Sequence, residues 1–393
     1  MNTYILKKEV QGYISDNLQM DPLKLLFKKT IFPHILQKEL VEQIESKARS
    51  KKKLPTWFSR EGIYYPNKLN ISQTSSETTA EYKSKLVNGE TLADLTGGFG
   101  VDSYAFSKKV KRVFHLEKNE SLSAIAKHNF SILDANTIET FAEDGIKFLS
   151  MADQHFDWLY IDPSRRAKNN EKVYFLEDCE PNVIEHLELF LSKSPNILIK
   201  TGPLLDISTG LKQLKHTREI HIVALNNEVK EVLWILQRNY KDTVALKTIN
   251  IKKEATETFD FKMEEEKNAQ VHCSEPLTYL YEPNSSILKA GAYRLIGERF
   301  GLKKLHQHSH LYTSNELISF PGRRFKIGTL GPYNKKTMKS IGVKKANITT
   351  RNFPYSVAAI RKKTKLTDGG TRYLFFTTNL KKELIVLNTI KVD

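Results

Sequence analysis

Four acidic residues close four apolar runs in the first half of the chain: Asp94, Glu117, Asp144 and Asp162, spaced 23, 27 and 18 residues apart. The first is followed by a glycine turn, Asp94-Leu95-Thr96-Gly97-Gly98-Phe99-Gly100-Val101-Asp102. Glycine has no Cβ and tolerates positive φ, so backbone there can approach a small polar ligand closely. A helix opening after the turn aims its N–H groups at the same ligand. A carboxylate at the end of the next strand, Glu117, is placed to accept hydrogen bonds from a ribose diol. The fourth acid begins Asp162-Pro163-Ser164-Arg165-Arg166. Its arginine pair can clamp a phosphate bidentately, stack on a base, or pair with Glu77 or Asp102.

Such residues converge only if strands deliver them to one edge of a sheet. The pattern over 88–240 alternates strand and helix. It predicts strands near 91–94, 111–116, 138–142, 156–161, 196–200, 219–225 and 231–237, with helices at 101–109, 119–131, 145–151, 180–192 and 206–215. That alternation implies a mainly parallel, doubly wound α/β sheet. Ligands of such sheets bind outside the carboxyl ends of the strands. The last two predicted strands are separated by five residues, too few for a parallel crossover, and must pair antiparallel. A dinucleotide site is disfavoured, because Ser103 stands where G-x-G-x-x-G needs its third glycine. Residues 1–50 carry apolar positions near a 3.6 period, broken at Pro22 and Pro33. Beyond them, 62–66 and 69–73 look extended, and Thr74-Ser75-Ser76-Glu77 fits a capping box opening a helix over 78–86. The basic stretch Lys47 to Lys53 reads as a solvated helix end, with a nucleic-acid contact as the alternative. Lys200-Thr201-Gly202-Pro203 faces the active edge, and Asn227-Glu228 sits in the hairpin turn.

The chain has 393 residues and a formal net charge of +16. Residues 276–393 hold 22 Lys/Arg against 6 Asp/Glu, while residues 1–275 hold 39 of each sign. All the excess therefore lies at the C-terminal end, and a basic field attracts polyanions. Basic and aromatic residues interleave there as RNA-binding surfaces require, with Arg351, Arg361 and Lys362 as candidate substrate contacts. The two cysteines form no disulfide framework. No metal site is expected, since alternating His306, His308 and His310 lack a fourth ligand. No apolar run approaches the ~20 residues that span a bilayer. Nothing resembles a signal peptide, and a cytoplasmic location is expected.

The glycine turn, Glu117, Asp144 and Asp162-Pro163 resemble the motifs of class I S-adenosylmethionine (SAM)-dependent methyltransferases. With Tyr281-Glu282-Pro283-Asn284, Arg351-Asn352-Phe353-Pro354 and Asp368-Gly369-Gly370, the whole chain resembles the bacterial members that carry a THUMP-like C-terminal domain. The resemblance implies a Rossmann-like seven-stranded methyltransferase sheet over 74–245. An N-terminal helical region and connector fill 1–73, with a linker and ferredoxin-like domain at 246–320 and a THUMP-like domain at 321–393. It implies SAM as cofactor, held by Asp94, Thr96, Gly97, Gly98, Gly100, Asp102, Glu117, Asp144 and Asp162, with Asp144 receiving the adenine amine. It implies Asp162, Pro163 and Arg165 as catalytic residues, Arg165 and Arg166 as substrate contacts, and RNA as the substrate. Amino-methylating relatives carry Pro-aromatic after Asp-Pro; here Ser164-Arg165 stands instead, so no ring is offered to a base. A non-catalytic RNA-binding protein and a small-molecule methyltransferase are the competing readings.

Overall fold

The computed structural model describes residues 1–28, 31–165 and 176–392. They divide into two compact units, one of residues 1–217 with 234–241, the other of 218–233 with 242–393.

The first unit is built on five parallel strands: β1 (Thr91–Asp94), β2 (Arg112–Leu116), β3 (Ile138–Phe141), β4 (Trp158–Ile161) and β5 (Asn196–Thr201). Their order is β5-β4-β1-β2-β3. The chain starts at β1, proceeds outward through β2 and β3, then returns to the other side of β1 with β4. The order therefore reverses between β1 and β4, the crevice where open α/β sheets bind ligands. β4 is buried at all four positions, as expected of a strand covered on both faces. Helices Val101–Phe106, Glu120–Ile132, Gly145–Met151, Leu187–Lys193 and Ile207–Gln213 punctuate the strands.

The N-terminal residues form short helices around Gln37–Lys53 and pack on this unit. Pro22 occupies the first turn of Pro22–Leu26, where a missing N–H costs nothing. Trp57, Tyr65 and Ile71 share a buried cluster with Phe99, Val101 and Ala105. Gln43 and Asn129 each make a two-way amide bridge to the extended backbone at Tyr65 and Tyr64. The stretch 69–73 is helical rather than extended, because Asn67 accepts from the Asn70 N–H and starts the helix Lys68–Gln73. The next helix is Glu77–Ser84, capped by Ser76 Oγ on Thr79 N. Glu77 is thus its first residue, and its carboxylate goes to Thr56 N and Oγ1 instead of closing a capping box.

Next along the chain, β6 (Thr217–Leu225) and β7 (Glu228–Gln237) are joined by Asn226 and Asn227. Both have positive φ, +49° and +67°, as a tight hairpin turn requires. The polar stretch after them opens with two strands: Ala245–Ile251 pairs parallel with β6, and Thr256–Lys262 pairs antiparallel with Ala245–Ile251. Asn227 has a structural use, accepting from Ser285 N and donating to Asn250 Oδ1.

The C-terminal α+β elements share one seven-stranded sheet. Strand Gly322–Pro332 joins its two halves, pairing with Tyr279–Pro283 on one side and Leu384–Val392 on the other. Phe325, Phe375 and Leu387 lie in the core on one face of the sheet, Phe376 and Val386 in the core on the other. Phe375 and Phe376 are therefore packing residues, not stacking platforms. The histidines are likewise engaged: His310 stacks on Tyr293 at 3.8 Å and His306 meets Asn352 at 3.0 Å. No metal-holding cluster occurs among the described residues. No helix among them is long and apolar enough to cross a membrane.

Candidate active site

The turn after β1 is held from below. Gly97 N donates to Leu116 O at 2.7 Å and Leu95 N to Tyr160 O at 3.0 Å, tying the turn to both neighbouring strands. A Cβ on Gly97 would lie 2.4 Å from Nε2 of fully buried His115, so only glycine lets the turn pass over that ring. Burial pushes the His115 pKa down to about 4 and keeps the ring neutral. Gly100 has positive φ, +85°, and a Cβ there would meet Phe130 at 2.3 Å. Its role is packing at the helix start, and it is not among the residues lining the cleft above.

That cleft measures about 1110 Å³, larger than the upper range for one drug-sized ligand. Asp94, Glu117, Asp144 and Asp162 all line it, together with Thr96, Gly97, Gly98 and Asp102. Asp94 accepts from Thr96 N at 3.1 Å and from Ser103 Oγ at 2.6 Å. Its burial raises the pKa to about 7, against the pull of the Ser103 hydrogen bond. Glu117 receives Gly98 N at 3.0 Å and Asn119 N at 2.7 Å, one on each oxygen. Each oxygen keeps a further lone pair for a hydroxyl. Asp144 caps the helix Gly145–Met151 through the N–H groups of Ile146 and Lys147.

Asp162 is fixed at two points. Its N–H donates to Thr96 Oγ1 at 2.7 Å, and its Oδ2 accepts from Lys200 Nζ at 2.5 Å. The register of β4 and β5 explains the pair. Ile161 lies opposite Ile199, so the next residues on the two strands, Asp162 and Lys200, leave the sheet side by side. Lys200 was therefore legible in the sequence by aligning the ends of adjacent parallel strands.

Beneath these groups lies a buried charge network that local sequence did not announce. Lys83, with no side-chain exposure, contacts Asp102 Oδ1 at 3.2 Å and donates to Ser75 Oγ at 2.9 Å. Ser75 Oγ and Tyr160 Oη each donate to Asp102 Oδ2 at 2.8 Å. Burial opposes ionisation of Asp102, but Lys83, Lys200 and the two hydroxyls outweigh it and hold the carboxyl below its usual range. Asp102 thus pairs with Lys83; the expected alternative, an arginine side chain of the 165–166 pair, falls outside the described residues.

The remaining expected residues are less central. Pro163 is not among the lining residues, whereas Ser164 is. The backbone of Ser164–Arg165 pairs with Cys179–Glu180. The Arg165 side chain and Arg166 lie outside the described residues. In the second unit, Arg351 pairs with Glu282 at 2.8 Å and Arg361 with Asp368. Both arginines neutralise carboxylates of their own unit, a structural use that competes with phosphate contact. Lys362 is exposed.

Comparison with known proteins places this site in context. Residues 279–321 match a ferredoxin-like domain family and 322–389 a THUMP domain-like family. A protein of Chlamydia muridarum (strain MoPn / Nigg), named an uncharacterized RNA methyltransferase, is 28% identical over 145 residues, 35% of each chain. One of Mycoplasma mobile with the same description is 27% identical over 105 residues, 26% of this chain and 29% of that one. The chain thus spans about a third of the length of these curated relatives. A protein of Porphyromonas gingivalis W83, whose crystal structure was solved as that of a candidate methyltransferase, is 32% identical. It matches with a TM-score of 0.89 over 100% of this chain and 99% of its own. This full-length match, the cleft at the strand reversal and the two C-terminal domains together establish that the chain belongs to the family of SAM-dependent methyltransferases that carry a THUMP-like domain.

Proposed function

We propose that the protein methylates a base in RNA, using SAM bound in the cleft of the first unit. One observation carries the reading: four strand-end carboxylates and a Cβ-free turn line a single cleft at the reversal of strand order. The chemistry of these groups suits SAM. Gly97 and Gly98 leave a backbone cradle, Glu117 offers lone pairs to a ribose diol, and Asp144 an acceptor to an adenine amine. Asp94 and the turn would meet the methionine end. Bound SAM would supply an electrophilic methyl on a good leaving group, so the protein chiefly positions and solvates. Asp162 is the residue we assign to the acceptor, held in place by Thr96 and Lys200. In this reading residues 1–73 are a helical region and connector, 74–245 the catalytic domain, 246–320 a linker and ferredoxin-like domain, and 321–393 a THUMP-like domain. The protein would work in the cytoplasm.

Transfer of label from radiolabelled SAM to total RNA, followed by nucleoside mapping, tests this. Wild-type protein should label one nucleoside, and Asp162→Ala should lose at least about a hundredfold in rate, as removal of a positioned acid or base does. RNA retention should be unchanged in the variant. Cofactor binding without transfer to any RNA would favour a non-catalytic RNA-binding role.

A further inference from the structure

We infer that residues 47–60 form a second RNA-binding surface, mounted on the wall of the cleft, that grips the phosphate backbone of the substrate. The inference rests on the RNA reading above and adds a site outside the C-terminal basic region. The segment holds six Lys/Arg and no Asp/Glu. Two of its cations are structural: Lys47 is buried and donates to Ser15 Oγ, and Lys53 donates to the carbonyls of Ile71 and Ser72, both at 2.9 Å. Arg60 lies 3.8 Å from Asp134. Arg49, Lys51 and Lys52 are exposed, and none enters an ion pair among the described residues. Glu45, one turn before Arg49, lies 3.7 Å from Lys68 instead. Lys51 Nζ stands 5.9 Å from the Phe58 ring.

The segment is tied to the cleft at two points. Lys53 caps the end of Lys68–Gln73, the helix that contributes Asn70 and Gln73 to the cleft lining. Thr56 holds Glu77, two residues beyond Ser75, which also lines the cleft. Cations in the last turn complement a helix dipole, but that benefit falls off within the turn and is screened by salt. Three exposed like charges in four residues repel one another with no acid to relieve them, an arrangement suited to an external polyanion. By contrast, Arg323, Arg351 and Arg361 in the second unit already hold carboxylates.

The test uses full-length protein and a fluorescein-labelled single-stranded RNA, titrated between about 50 and 200 mM salt. R49Q/K51Q/K52Q should bind roughly tenfold more weakly at the low-salt end. Its log–log salt slope should flatten by about 2, at about 0.7 for each single-strand phosphate that is no longer neutralised. A second triple, K8Q/K24Q/K38Q, removes the same charge from exposed positions elsewhere on the first unit. It should stay within about twofold of wild type. S-adenosylhomocysteine affinity, read by calorimetry, should be equal in all three proteins. Wild-type affinity and slope in the first triple, or equal losses in both, would overturn the inference while leaving the RNA reading intact. Absence of salt-dependent RNA binding by the wild type would overturn the RNA reading and this surface with it.

Discussion

The chemistry of the cleft is set by a few residues whose neighbours decide their charge. Asp94, raised to about 7 by burial, holds its proton more tightly folded than unfolded. Its contribution to stability is therefore present at acid pH and declines as pH rises from about 4 through 7. His115, lowered to about 4, acts in the opposite sense over a similar window, since stability falls as pH drops from about 6.5 through 4. The two partly cancel in the wild type, so the expected signal is a difference between variants. Asp94→Asn should become more stable relative to wild type between pH 5 and 8 in thermal melts, by an amount on the order of 3 kcal/mol. A constant difference across that range would refute the assignment. Gly97→Ala should lower S-adenosylhomocysteine affinity and cost about 1–3 kcal/mol of stability, because its Cβ falls against the buried His115 ring. Gly98→Ala meets only Thr96 O at 3.8 Å but carries the strain of positive φ, so the smaller stability loss belongs to it.

At the scale of elements, register does most of the positioning. Parallel pairing of β4 with β5 brings Asp162 beside Lys200, and pairing of β1 with β4 sets Asp94 opposite Tyr160. Lys200→Met should leave Asp162 without its charge partner and lower the rate of methyl transfer by about ten- to a hundredfold, because an acceptor-facing group that shifts by about 1 Å loses its alignment. An unchanged rate would mean that the pair is only structural. In the second unit, strand Gly322–Pro332 carries Arg323 to Glu282, and Asn347–Arg351 ends in Arg351, which reaches the other oxygen of the same carboxylate. The Glu282 side chain is 3% exposed. Glu282→Gln leaves two guanidinium groups facing a neutral amide, and chemical denaturation should show a loss of about 3 kcal/mol. The clasp also gives Tyr281-Glu282-Pro283-Asn284 and Arg351-Asn352-Phe353-Pro354 a common structural use: Glu282 of one and Arg351 of the other, with Arg323, form an ion triad within one sheet.

For the whole molecule, charge governs association. The excess of 16 positive charges lies in residues 276–393, yet several of those cations are internally paired. RNA affinity should still fall steeply with salt, and a binding isotherm that ignores ionic strength would argue against a polyanionic substrate. Each unit carries its own hydrophobic core, and residues 1–275, neutral in sum, contain the segment 47–60, which holds cations and no acid. A net charge averaged over hundreds of residues therefore conceals a local field beside the cleft.

The parallel α/β sheet, the four acids closing its strands and the hairpin after them were written in the sequence, because hydrophobic period, glycine turns and crossover length are local properties. The separate uses of Gly97 and Gly100 were not, since both are glycines in one turn and only the ring beneath each distinguishes them. Lys83 and Ser75 gave no local signal of the Asp102 network; residues 19 and 27 positions away meet it only after the N-terminal helices pack on the turn. Arg351 and Arg361, two of the expected substrate contacts, lie against Glu282 and Asp368, pairings the sequence did not announce because opposite charges far apart in the chain meet only in the folded sheet. Type and spacing fixed which atoms could do chemistry; desolvation and charge pairing, which depend on long-range contacts, decided which of them are available to do it.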